Sequence, residues 1–255
     1  MAVPTFRAIV VVDIESFGSR LNPFQASLRR AMYQVVRESC AGAGVDWDTL
    51  DTLDVGDGLI LLVPTTTSTV TLAGLFVRTL DAMLGEKAAM FSEAHRMRLR
   101  VALHQGNCQR DETGWVGEAI NTACRLVDAQ PLRTALKSAP DARMALIVSD
   151  EIYQGVVRHD YALIDAASFA PTVLNVKEMS GARAWISVPG RSYPPGQKAE
   201  PQTSAPRPET TARPPGGGIH NSGNVTVHGD QVGGDKTVHH AGGDKTGHRK
   251  GGDQR

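Results

Sequence analysis

Residues 8–17 read AIVVVDIESF, an unbroken apolar run from Ala8 to Val12 that closes on an acid, Asp13. The valine run predicts a buried strand over residues 6–14. An acid ending such a strand is costly unless something satisfies it. A second acid, Asp57, stands at a Gly-Asp-Gly turn in DVGDGLILLV, residues 54–63, and offers a partner across a metal ion. A third stretch, AINTACRL at residues 119–126, spaces Asn121 and Arg125 four apart, on one face of a helix. Two carboxylates for cations and two donors for anionic oxygens suit a nucleoside triphosphate.

Working outward, Asn22 and Pro23 read as the N-cap and first residue of a helix ending near Gly42 or Gly44. Trp47, Leu50, Leu53 and Val55 suggest a partly exposed strand, and residues 59–63 return from it as a central strand with Asp57 at the hairpin tip. A second helix is predicted over 67–95. Met97, Leu99, Val101 and Leu103 alternate with Arg98, Arg100, Ala102 and His104, a strand with one polar edge. A third helix covers 116–137, bent or ended by Pro131. Later strands are expected at 145–148, 161–164, 172–176 and 184–188. Helices returning over a mixed sheet make an α+β sandwich.

The ordered motifs resemble the class III nucleotidyl cyclases, the adenylate and guanylate cyclase catalytic domains, over residues 5–188. Asp13, Ile14 and Phe17 stand near that family's first metal motif, with Phe17 one position late. Gly56 and Asp57 match its hairpin acid, 44 residues after Asp13. His104, Gly106, Gly117, Asn121 and Arg125 match its later His-Gly strand end and Gly-x-x-x-Asn-x-x-x-Arg string. The resemblance implies a ferredoxin-like α/β sandwich and two divalent cations, Mg2+ or Mn2+, held by Asp13, Asp57 and the Ile14 carbonyl. It further implies that Arg125 neutralises the α-phosphate, Asn121 orients the ribose, and Lys177 in NVKEMSGARAW contacts the polyphosphate. Cyclase sites lie between two catalytic domains, so a homodimer is expected, producing a 3′,5′-cyclic nucleotide and pyrophosphate in intracellular signalling.

The sequence departs from the family where the base is chosen. Leu53 and Gly114 occupy the positions of the usual polar selectors, leaving Asp54, Thr113 or backbone groups as substitutes and the base open. A cyclase-homology module that binds nucleotide or a signalling partner without turnover is the alternative. Each motif also has a structural reading: Asp57 as a turn residue, Arg125 in a surface ion pair, His104 as a strand-end histidine, Trp115 as an interface aromatic.

Composition sets the frame. Lys plus Arg and Asp plus Glu both number 27, without a long run of one sign, so neither nucleic acid nor an anionic membrane is an expected partner. Cys40, Cys108 and Cys124 lack metal-ligand spacing and fit a reducing cytoplasm. The N-terminus carries no signal-type segment, and control is expected through the tail, a partner or dimerisation. Eight of 14 prolines lie between Pro189 and Pro215, and 12 of 26 glycines lie from Gly216 onward. Three segments are therefore expected: a cyclase-homology domain at 1–188, a Pro/Gly-rich disordered linker at 189–218, and a low-complexity tail at 219–255. In the tail Gly-Gly-Asp recurs at Asp235, Asp244 and Asp253, beside five of the eight histidines. It is a candidate surface for a protein partner.

Overall fold

The valine-rich run becomes β1 (Thr5–Ile14), an interior strand of the sheet. The computed structural model describes residues 3–90, 96–176 and 179–196, all within one unit, Met1–Gln202. Its other strands are β2 (Asp51–Asp54), β3 (Gly58–Pro64), β4 (Leu99–Arg110), β5 (Trp115–Val116), β6 (Met144–Ser149), β7 (Ala170–Val176) and β8 (Met179–Ser187). Their order is β2-β3-β1-β4-β6-β8-β7, with β5 paired to β4; β4 and β6 run parallel and the other pairs antiparallel.

Helices cover both faces of this sheet. On one, α1 (Asn22–Gly42) and α3 (Val77–Met90) bring Met32, Val35 and Leu80 against Val10, Val12 and Ile14. On the other, α4 (Glu118–Val127) and α5 (Gln130–Lys137) pack Ala123, Leu126, Leu132 and Leu136 against Ile9 and Val11. Both sets of β1 side chains are therefore dry, which is why the strand reads as a continuous apolar run. The expected α+β sandwich is present, with a helical layer on each side.

Several elements differ from the sequence reading, each for a local reason. Leu21, not Asn22, is the N-cap of α1, and Asn22 and Pro23 lie inside its first turn. The helix expected at 67–95 begins as α2 (Thr69–Thr71), passes through a π-helical turn at Leu72–Phe76 and continues as α3; residues 91–95 lie outside the described residues. The helix expected at 116–137 is two helices, because Pro131 lacks the N–H that a continuous helix would need and instead sits in the first turn of α5. Residues 161–164 form a turn, not a strand. Asp160, in a left-handed conformation, accepts a bond from the Ala166 N–H at 2.8 Å, and Leu163 is also left-handed, φ 69°. The short helix α6 (Asp150–Gly155) follows β6 and was not anticipated. Finally, β4 lies between β1 and β6, so its polar side is interior: Arg100 and His104 are 8% and 7% exposed.

Gly58 fixes how closely the Asp57 turn approaches β1. It pairs with Asp13, and a Cβ there would lie 2.6 Å from the Val12 carbonyl oxygen. Gly58→Ala is expected to cost about 1–3 kcal/mol by forcing the two strands apart, read as a lowered urea midpoint with the far-UV circular dichroism of the folded state retained.

Candidate functional site

The hairpin β2–β3 and the end of β1 bring Asp13 and Asp57 to one cavity of about 420 Å3. The Ile14 N–H donates to the Asp57 carbonyl at 3.0 Å, tying the turn to the strand end. From the sheet come Val11, Val12 and Arg100, and from the end of α4 and the start of α5 come Cys124, Val127, Asp128 and Arg133. Asp57, Phe17 and Gly18 also border a second hollow of about 530 Å3, lined by Asn22, Gln25 and Arg29 at the start of α1.

Asp13 and Arg100 are direct cross-strand partners in the β1–β4 ladder. Arg100 Nε donates to Asp13 Oδ2 at 2.7 Å, and Nη2 donates to the same oxygen. Burial pushes the Asp13 carboxyl up to about 6; Arg100 opposes the rise through charge and hydrogen bond, while Asp57 and Asp128 add to it. Asp128 Oδ1 accepts from Arg133 Nη2 at 2.6 Å and lies 4.0 Å from Arg100 Nη1.

Other residues singled out by sequence lie apart from this cavity. Asn121 is exposed and Arg125 half-buried on α4, and neither lines it, although Cys124, Val127 and Asp128 of the same segment do. Gly117 begins that helix at φ 159°, and a Cβ there would lie 2.9 Å from the Asn107 carbonyl oxygen, so α4 starts close against β4. Leu53 is half-buried against the α4–α5 side of the core. Asp54 is engaged: Tyr33 Oη donates to it at 2.6 Å, the Gly56 N–H at 2.8 Å, and Arg29 pairs with it. Gly114 closes a turn in which Asp111 Oδ1 accepts from the Thr113 N–H, the Thr113 hydroxyl and the Gly114 N–H at 2.7 to 2.9 Å. Lys177 lies outside the described residues, as do the linker beyond residue 196 and the repeat tail. His104 is buried 3.8 Å from Glu151, and burial holds its imidazole below the usual range, the reverse of what a cationic role needs. Arg7 stacks over Trp115 at 5.2 Å.

Arg100, Asp128 and Arg133 were not recognised from sequence. Arg100 carried a signal, since strand alternation puts it two residues from Ala102 on the face that β1 fills with Val11; recognising the β1–β4 register would have set it beside Asp13. Asp128 and Arg133 carried none, because they meet only through the break between α4 and α5.

No known family model matches the chain, and no curated protein is significantly similar to it. Solved structures are. An adenylate/guanylate cyclase/hydrolase from Silicibacter pomeroyi superposes with a TM-score of 0.52 at 19% identity, covering 74% of this chain and 99% of that one. The guanylyl cyclase Cya2 gives 0.51 at 14% identity, over 79% and 97% of the two chains. A bacterial light-regulated adenylyl cyclase gives 0.50 at 13% identity, over 78% of this chain and 55% of its own. The chain has the class III cyclase fold. In this chain Asp13 lies at the end of β1 and Asp57 in the β2–β3 turn.

The donor set suits a hard divalent ion. Two carboxylates lining one hollow are hard oxygen donors of the type Mg2+ takes, with other oxygens needed to fill its coordination shell. Among the described residues no cluster of three or more His, Cys, Asp and Glu offers an all-protein cage. The same described residues include no helix long and apolar enough to cross a membrane.

The raised Asp13 carboxyl predicts a pH signature. Its ordinary value is 3.8, so between about pH 4 and 6 the folded chain holds a proton that the unfolded chain has released. The stability this contributes is present below pH 4 and lost as pH rises through 6, by no more than about 3 kcal/mol. Urea unfolding of the native chain and of Asp13→Asn, compared from pH 4 to 7, is expected to give a stability difference that moves against the native chain as pH rises.

Proposed function

We propose that the chain is a class III nucleotidyl cyclase acting as a homodimer in the cytoplasm, converting a nucleoside triphosphate to a 3′,5′-cyclic nucleotide and pyrophosphate. The observation that carries the reading is the convergence of Asp13 and Asp57 on one cavity within the cyclase fold, a cavity that Asn121 and Arg125 of the same subunit do not line. A site shared between two copies accounts for both facts: one copy gives the acids, the other gives the Asn-Arg pair.

In this reading Asp13, Asp57 and the Ile14 carbonyl bind two divalent cations, which supply activation of the ribose 3′-hydroxyl and charge neutralisation of the departing pyrophosphate. Asn121 of the second copy orients the ribose, and Arg125 meets the negative charge that grows on the α-phosphate. Lys177 is assigned to the polyphosphate. The hollow beside the start of α1 is lined by Asn22, Gln25 and Arg29, the last already engaged by Asp54 and the Gly56 carbonyl. The reaction needs no covalent enzyme intermediate.

Base choice is the weak side of the chemistry. Leu53 offers no hydrogen bond, Gly114 has no side chain, and Asp54 is already committed to Tyr33, Arg29 and the Gly56 N–H. Those three environments favour the second reading, a nucleotide-binding module without turnover, if no product forms.

Incubation of the dimeric protein with ATP, GTP, CTP and UTP, each with Mg2+ or Mn2+, is expected to yield one cyclic product by mass spectrometry, absent in Asp57→Ala. Asp57→Ala and Arg125→Ala are each expected to be inactive alone. Mixed in equal amounts, they should regain about a quarter of the native rate, because half the dimers then carry one intact site of two. No product from any nucleotide would select the binding module, and a mixture that stays inactive would reject the shared site.

A further inference from the structure

Three charged groups of the cavity have no part in the reading above: Arg100, Asp128 and Arg133. Arg100 spends two of its nitrogens on one oxygen of Asp13. Its third, Nη1, points towards Asp128, whose Oδ1 is 4.0 Å away and beyond hydrogen-bond length. Asp128 is held in place by Arg133, which donates to the same Oδ1 at 2.6 Å and to the Asp128 backbone carbonyl at 3.0 Å. Arg100 is 8% exposed and lies under α4, while the Asp128 side chain that its Nη1 faces is 60% exposed, at the edge of solvent.

That arrangement conflicts with a second cation at the same carboxylate. An ion bound by Asp13 and Asp57 would share Asp13 with a fixed guanidinium in a poorly solvated pocket, and like charges there repel strongly. A guanidinium can turn about its own stem and keep two parallel bonds to a new carboxylate. The nearest carboxylate not assigned to the ion is Asp128.

We propose that Asp128 is the acceptor that takes over the Arg100 guanidinium when a divalent cation binds Asp13 and Asp57. Arg100 and Asp128 are then positioning residues. Without the ion, Arg100 neutralises Asp13; with it, Arg100 swings to Asp128, and Arg133 keeps that carboxylate within reach. The inference rests on the cation reading of Asp13 and Asp57.

The test is Mn2+ binding to the full chain, followed by electron paramagnetic resonance of the free ion. Asp128→Asn is expected to weaken Mn2+ by about tenfold while Arg100 is present, and to change it less than about twofold in the Arg100→Gln background, where no guanidinium needs a new partner. Equal weakening in both backgrounds would make Asp128 a direct ligand or a diffuse field and overturn the proposal, as would no weakening in either. Arg100→Gln leaves Asp13 unpaired and carries the risk of not folding, so the native chain supplies a second reading. During a Mg2+ titration the 15Nε resonance of Arg100 should shift with the midpoint of cation binding; an unmoved resonance in protein that binds the ion overturns the exchange. Native protein whose Mn2+ binding is absent, or unchanged in Asp57→Ala, would instead remove the cation reading itself and the proposal with it.

Discussion

The Asp13–Arg100 pair is the constraint around which this structure is organised. Neither charge could be afforded alone between a central sheet and a helix, since an isolated buried ion loses several kcal/mol of hydration. Paired across the β1–β4 ladder, they allow the sheet to carry a polar, ionisable point on an otherwise dry face. The pairing has a mechanical side as well. It requires β1 and β4 to be neighbours in a fixed register, because a shift of one residue would send one of the two side chains to the opposite face.

The site inherits its geometry from that register. Gly58, opposite Asp13, lets the hairpin come close enough for Asp57 to join the same cavity. On the far side, the break between α4 and α5 brings Asp128 and Arg133, both exposed, to the rim of the same cavity. An acid-rich cavity with two arginines is thereby assembled from five separate stretches of chain, none of which is polar enough to mark the site by itself.

How far the sequence disclosed this depends on whether a feature is local. β1, the Asp57 hairpin and the amphipathic face of α4 are each written in a short window, by a valine run, a Gly-Asp-Gly turn and a four-residue spacing, and all three stand where expected. The α4–α5 break was half visible, since Pro131 announced a disturbance without saying whether the helix would bend or restart. The strand expected at 161–164 failed because side-chain bonds from Asp160 and Asp165 hold the backbone in turns, and such competition is invisible to hydrophobic alternation. Arg100 was misjudged for a different reason. Alternation tells which residues share a face of β4 but not whether that face is covered, and only the arrival of α4 decides it.

The position of β1 also governs how the chain is made. It precedes both of its sheet neighbours in the chain, is among the most apolar strands, and is flanked on both edges in the finished sheet. One edge is closed by β3, but the other stays open until β4, which begins at Leu99, has been synthesised. During that interval a valine-rich strand with unmatched backbone N–H and C=O groups is exposed, the kind of edge that recruits other chains. The strand order thus leaves this edge unsatisfied for the whole stretch of chain between Ile14 and Leu99.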